Sequence, residues 1–212
     1  MMVNVLITGF EPFAGETLDP SWQVASALQG WHLDNEVLVT ATKLPCVFKQ
    51  SLLALEQAIN QVKPVVVIIL GQAGGCSQLK LEKIASNYID AAYVDNAGQQ
   101  PRDSLTASHG PAAYFCNLPI KAMLQALHLQ HIPAQLSLSA GSYVCNHSFY
   151  GLMHLIKNHY ASIRGGLIHL PYLPEQVLSK ADTASMELAT QIKALKICIA
   201  VSLQRQTDQL IA

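Results

Sequence analysis

The run Val65-Val66-Val67-Ile68-Ile69-Leu70 is apolar at every position and follows directly on Pro64. A strand with one wet face alternates apolar and polar residues, whereas a strand covered on both faces has no need to. This run therefore reads as a central strand with material packed above and below it. The preceding stretch supplies one cover: from Val47 to Val62 the apolar residues Phe48, Leu52, Leu55, Ile59 and Val62 recur at helical spacing until Pro64 stops the pattern. Val3 to Thr8 and Glu36 to Thr42 read as two further strands, the first ending at Gly9 and the second at Leu44-Pro45. Between them Asp19 is placed as an N-cap and Pro20 at the first position of a helix that runs to about Gln29 and ends at Gly30. Strand, helix, strand, helix, strand predicts a single α/β domain over residues 1–212. Its expected form is a three-layer α/β/α sandwich around a twisted, mostly parallel mixed sheet.

The second half is less regular. Leu79 to Val94 has strand-like pieces without a clean period and reads as a hairpin-like excursion. Asp95 to Ser108 is dense in turn formers and reads as a mobile flap. Pro111 to Phe115 and Pro119 to Leu129 both read as helices begun by proline. Ala134 to Ser139 reads as a strand, the segment from Phe149 to Ile156 as a helix, and Leu167 to Leu170 as an apolar strand bounded by Pro171. Asp182 to about Leu203 reads as a long helix, apolar on more than one face, and so as a docked or oligomer-buried element.

Composition narrows the function. Thirteen basic and 14 acidic residues give a net charge of −1, which leaves no footprint for nucleic acid and no polybasic patch for a membrane surface. No run approaches the ~18 consecutive apolar residues of a membrane span. Met1 to Gly9 lacks a positive n-region and reads as a first strand rather than a signal peptide. Five scattered cysteines without a CxxC pair argue against a disulfide framework and for a reducing cytoplasm.

The reactive chemistry gathers around Ala140-Gly141-Ser142-Tyr143-Val144-Cys145-Asn146-His147. A thiol in a strand-to-helix turn feels the positive end of the helix dipole, which lowers its pKa; the alternative is that Cys145 is one more small buried residue. In an open α/β sheet ligands bind outside the carboxyl ends of the strands. That edge collects Phe10 and Phe13, then Gln72 with the later Glu82, then Cys145, then His169. The two phenylalanines are either core or the walls of a ligand slot, and His169 is either a satisfied core histidine or a base. A thiol nucleophile needs an imidazole, and the imidazole needs an acceptor that fixes its tautomer; Cys145, His169 and Glu82 supply those parts. The glycines of Gly71-Gln72-Ala73-Gly74-Gly75 lack phosphate-loop spacing and read as places of close backbone approach. His147, His154 and His159 lie at offsets unsuited to a metal pair, and no metal or other cofactor is expected.

Three stretches carry a resemblance. Ile132 through Asn146, with Ser139-Ala140-Gly141-Ser142-Tyr143-Val144-Cys145 at its end, is similar to the active-site cysteine signature of the pyroglutamyl peptidase I (pyrrolidone-carboxylate peptidase) family of cysteine peptidases. Gly71-Gln72-Ala73-Gly74 through Glu82 to Asn87 resembles that family's glutamate signature, with Lys80 in place of the usual Ser or Thr. His169-Leu170-Pro171-Tyr172 resembles the stretch around its histidine. The resemblance implies a phosphorylase/hydrolase-like fold, Cys145 as nucleophile, His169 as general base and acid, and Glu82 as its orienter. It also implies a substrate pocket drawn from Phe10, Phe13, Asp19, Gln72, Tyr143 and Val144. The implied partners are small peptides with an N-terminal pyroglutamate, a neutral lactam that an apolar slot binds without desolvating a charge. A homotetramer is implied as well. Two further positions depart from the family: Asp19 stands where Asn is usual, making the mouth of the site more negative, and Ala92-Tyr93 stands where an Arg is usual. The alternatives are a cysteine amidase acting on a related lactam or acyl amide, and a catalytically weak homologue that binds blocked N-termini.

Overall fold

A computed structural model describes residues 2–204. In chain order its elements are β1 (Val3–Phe10), α1 (Pro20–Ala27), β2 (His32–Leu33), β3 (Val37–Leu44), α2 (Gln50–Val62), β4 (Val66–Gln72), β5 (Leu79–Glu82), β6 (Ile84–Ser86) and β7 (Ala113–Phe115). They continue with α3 (Ile120–Leu129), β8 (Ala134–Ser137), α4 (Val144–Asn158), β9 (Arg164–Leu170), a short 3-10 turn at Pro174–Gln176, and α5 (Leu188–Gln204).

Seven strands form one sheet in the order β2-β3-β1-β4-β9-β5-β8. The apolar run from Val66 is β4, which lies at the middle of that order and is fully buried from Val66 to Gly71. Parallel pairing joins β3, β1, β4 and β9, and also β5 and β8; β2–β3 and β5–β9 pair antiparallel. The sheet is therefore mostly parallel and mixed. Helices fall into two groups, with α1 and α3 packed on α5 and with α2 packed on α4. One continuous core runs from Val5, Leu6 and Ile7 through β4 to Phe149, Leu167 and Ile199.

Local chemistry explains the elements that were legible. Asp19 caps α1 by accepting from the Ser21 N–H at 2.8 Å, and Pro20 occupies the first helical position, where no N–H is required. On α2 the residues Leu55, Ala58 and Ile59 are buried while Leu53 faces out.

Several expectations are corrected. Residues 111–115 are not a helix: Ala113–Phe115 is β7, paired antiparallel with β6. Five residues are too few to nucleate an isolated helix, and the β6 backbone offers a ladder that flanking bonds from Asn87 N to Ala112 O (2.8 Å) and from Cys116 N to Lys83 O (2.9 Å) extend. The excursion after β4 is not a detached hairpin either, because β5 inserts into the main sheet between β9 and β8. The 95–108 segment is tied down at its start, where the buried Asp95 carboxylate accepts from the N–H groups of Phe48, Ala97 and Gln99. The last helix starts at Leu188 rather than Asp182, since Ser185 bridges Tyr172 and Met186 N donates to Tyr172 O at 2.8 Å. The small strand β2 was not anticipated; Asp34 and Asn35, both in the left-handed region, turn it back onto β3. Among the described residues no helix is long and apolar enough to cross a membrane.

Candidate active site

Sheet register assembles the site. The pairing of β4 with β9 sets His169 opposite Gly71. On the other side of β9, antiparallel β5 sets Lys80 opposite His169 and Glu82 opposite Leu167. Glu82 is thus a diagonal neighbour of His169 on the same face, within reach for long side chains. Its Oε1 lies 2.8 Å from His169 Nδ1, and both residues are buried. A carboxylate at that distance holds the ring proton on Nδ1 and leaves Nε2 as the basic nitrogen. The second carboxylate oxygen, Oε2, has no hydrogen-bond partner among the described residues.

Cys145 is the second residue of α4. A bend at Gly141, whose φ is +78°, turns the chain from β8 into that helix. Three side chains then pin the helix start to the 86–94 segment. Ser142 Oγ donates to Asp90 O at 2.9 Å, Tyr143 OH donates to Val94 O at 3.0 Å, and the fully buried Asn146 amide binds Ser86 N, Ser86 O and Tyr88 O. Asn146 is a residue that sequence reasoning quoted without giving it work; as a buried amide beside the nucleophile, its polar side chain on a helix was the available signal.

Thiol and imidazole meet over Gly71. A β-carbon built on that glycine would stand 2.8 Å from Cys145 Sγ, 2.9 Å from His169 Cδ2 and 3.2 Å from His169 Nε2. The missing side chain is the space in which the two groups face each other. At the Cys145 thiol the lowering expected from the helix dipole is opposed by its surroundings. Burial holds it well above the usual thiol range, and Cys46, Asp19 and Glu82 add negative potential, while its own backbone amide works in the other direction. No side chain caps the start of α4, so the first-turn N–H groups remain available to an anion.

A cavity of about 430 Å³ opens onto these groups. Phe13, Gln72 and Tyr143 line it, together with Lys80, Ala92, Tyr93 and the Ser139–Ser142 turn. The Phe13 and Tyr143 rings are 5.6 Å apart and form an apolar wall. The other three expected pocket residues are elsewhere. Phe10, the last residue of β1, points into the core and is 2% exposed; Val144 is wholly buried on the inward side of α4. Asp19 is 2% exposed because its carboxylate caps α1, accepting from Ser21 N and Ser21 Oγ, so it does not stand at the mouth. Burial raises Asp19 to about 6, and its Oδ2 has no partner among the described residues. Gln72 is held from behind: its Oε1 accepts from Gln176 Nε2 at 2.8 Å.

Two of the other histidines have hydrogen-bond partners. His147 Nε2 accepts from Lys49 N at 3.1 Å, its Nδ1 faces Thr106 Oγ1, and burial pushes its pKa down to about 4. His154 Nδ1 pairs with Tyr114 OH at 2.9 Å. Both border a second cavity of about 410 Å³ between α2 and α4, whose lining contains no cysteine. Among the described residues no group of three or more His, Cys, Asp or Glu is arranged to hold a metal ion. A half-buried thiol, a buried imidazole and a buried carboxylate beside a slot with apolar walls suit acyl transfer from a small uncharged acyl group.

Comparison with known proteins points the same way. Residues 3–205 match the profile of the pyroglutamyl peptidase family. The chain is 47% identical over 207 residues to a pyrrolidone-carboxylate peptidase of Enterobacter sp. (strain 638), covering 98% of this chain and 96% of the relative. It is 45% identical over 208 residues to the enzyme of that name from Cupriavidus taiwanensis, with the same coverage. The crystal structure of Bacillus amyloliquefaciens pyroglutamyl peptidase I superposes with a TM-score of 0.94 at 42% identity, over 97% of this chain and 99% of that one. A mutant pyrrolidone carboxyl peptidase from Pyrococcus furiosus superposes with a TM-score of 0.92 at 37% identity, over 95% of this chain and 99% of that one.

Proposed function

The chain belongs to the pyroglutamyl peptidase family, and from that premise we propose that Cys145, His169 and Glu82 remove an N-terminal pyroglutamyl residue from peptides through a thioester intermediate. The observation that carries the proposal is the convergence of the Cys145 sulfur and the His169 imidazole over Gly71, with Glu82 behind the ring. His169 Nε2 takes the thiol proton as Sγ attacks the pyroglutamyl carbonyl carbon. First-turn N–H groups of α4 receive the developing oxyanion. The imidazolium then gives its proton to the departing amine, and the C–N bond breaks. Water, deprotonated by the same nitrogen, attacks the thioester and releases pyroglutamate and free thiol. Glu82 stabilises the imidazolium and keeps its tautomer. The lactam sits between Phe13 and Tyr143, with its N–H and C=O paired by Gln72, because a buried lactam left unpaired forfeits binding.

The whole chain acts as one catalytic unit. The five free cysteines support a reducing, cytoplasmic setting. Half-buried Ile192, Ile197 and Val201 on α5 support a homotetramer, since an apolar helix face gains by further cover.

A fluorogenic pyroglutamyl amide tests the reading. Release of the fluorophore is expected from the wild-type protein, with or without EDTA, and not after iodoacetamide or in Cys145→Ala. Activity that survives in Cys145→Ala, or that EDTA removes, would overturn the thiol mechanism; binding of pyroglutamyl peptides without release would leave a non-catalytic homologue.

A further inference from the structure

Among the described residues lining the cavity, only Lys80 and Glu82 bear a full charge, and Glu82 is committed to His169. Lys80 is different. It has no ion-pair or side-chain hydrogen-bond partner among the described residues, and it is half-buried on the wall of the cavity. Its position relative to the chemistry is set by register, because Lys80 is the direct antiparallel partner of His169. Residues directly opposed on antiparallel strands project on the same face with their β-carbons about 4.5–5.5 Å apart. The Lys80 side chain therefore starts beside the His169 side chain, and its ammonium is tethered within reach of the cavity.

The walls of the cavity differ in character. Phe13 and Tyr143 make one wall apolar, which suits the acyl group. The amine that leaves must lie against His169 Nε2 to be protonated, so the residue following the scissile bond passes over the strand pair that carries His169 and Lys80. Resting on the peptidase reading above, we propose that Lys80 is a specificity-determining residue that selects substrates with a carboxylate on the residue after pyroglutamate. That carboxylate is either an acidic side chain or the free terminus of a dipeptide. A half-buried, unpaired ammonium beside a cavity attracts such a group more strongly than a charge in open water does, and salt weakens the attraction.

The test compares kcat/KM for pyroglutamyl-glutamyl-alaninamide with pyroglutamyl-glutaminyl-alaninamide, and for pyroglutamyl-alanine with pyroglutamyl-alaninamide. Each is measured in the wild type, Lys80→Ser and Lys80→Arg. In the wild type a carboxylate is expected to raise kcat/KM by about three- to tenfold in at least one pair, an effect that shrinks at high salt. Lys80→Ser brings that ratio to about one and Lys80→Arg keeps it. Preference in the first pair assigns the side chain, preference in the second assigns the terminus, and either supports the proposal. Ratios that Lys80→Ser leaves unchanged, with the amides still cleaved, overturn the role of Lys80 and leave the peptidase reading standing. Failure of the wild type to cleave any of the four peptides removes both.

Discussion

Gly71→Ala should abolish most of the activity while leaving the fold almost untouched. Gly71 is not among the glycines with positive φ, so the backbone tolerates alanine there. The obstacle is ahead of it: the new methyl carbon would lie 2.8 Å from Cys145 Sγ and 2.9 Å from His169 Cδ2. Carbon contacts settle at roughly 3.5 Å or more, so the thiol, the imidazole or both must retreat by about 0.7 Å. Both are side chains beside an open cavity, and a cysteine rotates about one bond, so the retreat is cheap for folding. A cost under about 1 kcal/mol, or a melting point lower by about 2–4 °C, is expected. For catalysis a displacement of that size at the reacting atoms costs on the order of a hundredfold in rate, about 2.7 kcal/mol of activation free energy. The assay is kcat and KM on a fluorogenic pyroglutamyl amide, alongside thermal unfolding and stoichiometric alkylation of Cys145. A variant that keeps its melting point and retains a rate within threefold of the wild type would refute the claim that thiol and imidazole share the space over Gly71.

Two other perturbations separate positioning from stability. Burial raises the Asp19 pKa from 3.8 to about 6, so the folded state binds the proton more tightly than the unfolded chain; stability from this source is present below about pH 3.8 and is lost as pH rises through about 6. Asp19→Asn keeps an N-cap and removes the ionisation, so unfolding measured at pH 4 and pH 7.5 should show its advantage over the wild type growing with pH by about 2 kcal/mol; an advantage equal at both values would sink the assignment. Gln176→Leu removes the anchor of Gln72 and the bonds to Leu18 O (3.2 Å) and from Leu173 N (3.0 Å), at about 1 kcal/mol each. It should lower the melting point by about 6–12 °C and raise KM for the pyroglutamyl amide more than it lowers kcat, and an unmoved KM would detach Gln176 from the substrate slot.

The parts of this fold that were readable are those whose determinants are local. The unbroken apolar run from Val65 to Leu70 marks a central strand, and the Asp19-Pro20 pair announces a helix start wherever it packs. What resisted reading depends on partners far along the chain. Leu79-Lys80-Leu81-Glu82 alternates as many strands do, but nothing in it says that β9 will lie antiparallel on one side and β8 parallel on the other. Pro111 to Phe115 looks like a proline-led helix until β6 claims its backbone. The substrate slot divides on the same principle: Phe10 and Phe13 are equivalent as letters, and only the end of β1 sends one into the core and leaves the other on the cavity wall.

Cys145 concentrates the conflict between a local and a global effect. The start of a helix offers a thiolate about 0.3–1 kcal/mol, up to ~2 in favourable burial. Desolvation of a buried charge shifts a pKa by up to several units at 1.36 kcal/mol each, and here two carboxylates and a second thiol add to it. The larger effect is the one that raises the thiol. Reactivity then cannot reside in the cysteine alone. The proton has to leave as the Sγ–carbon bond forms, which requires a base already aligned and an imidazolium stabilised once formed. His169 with Glu82 at 2.8 Å meets both requirements, and Gly71 supplies the room for the transfer. On the proposed mechanism the thiol depends on the sheet register that brings β4, β5 and β9 together as much as on the helix that carries it.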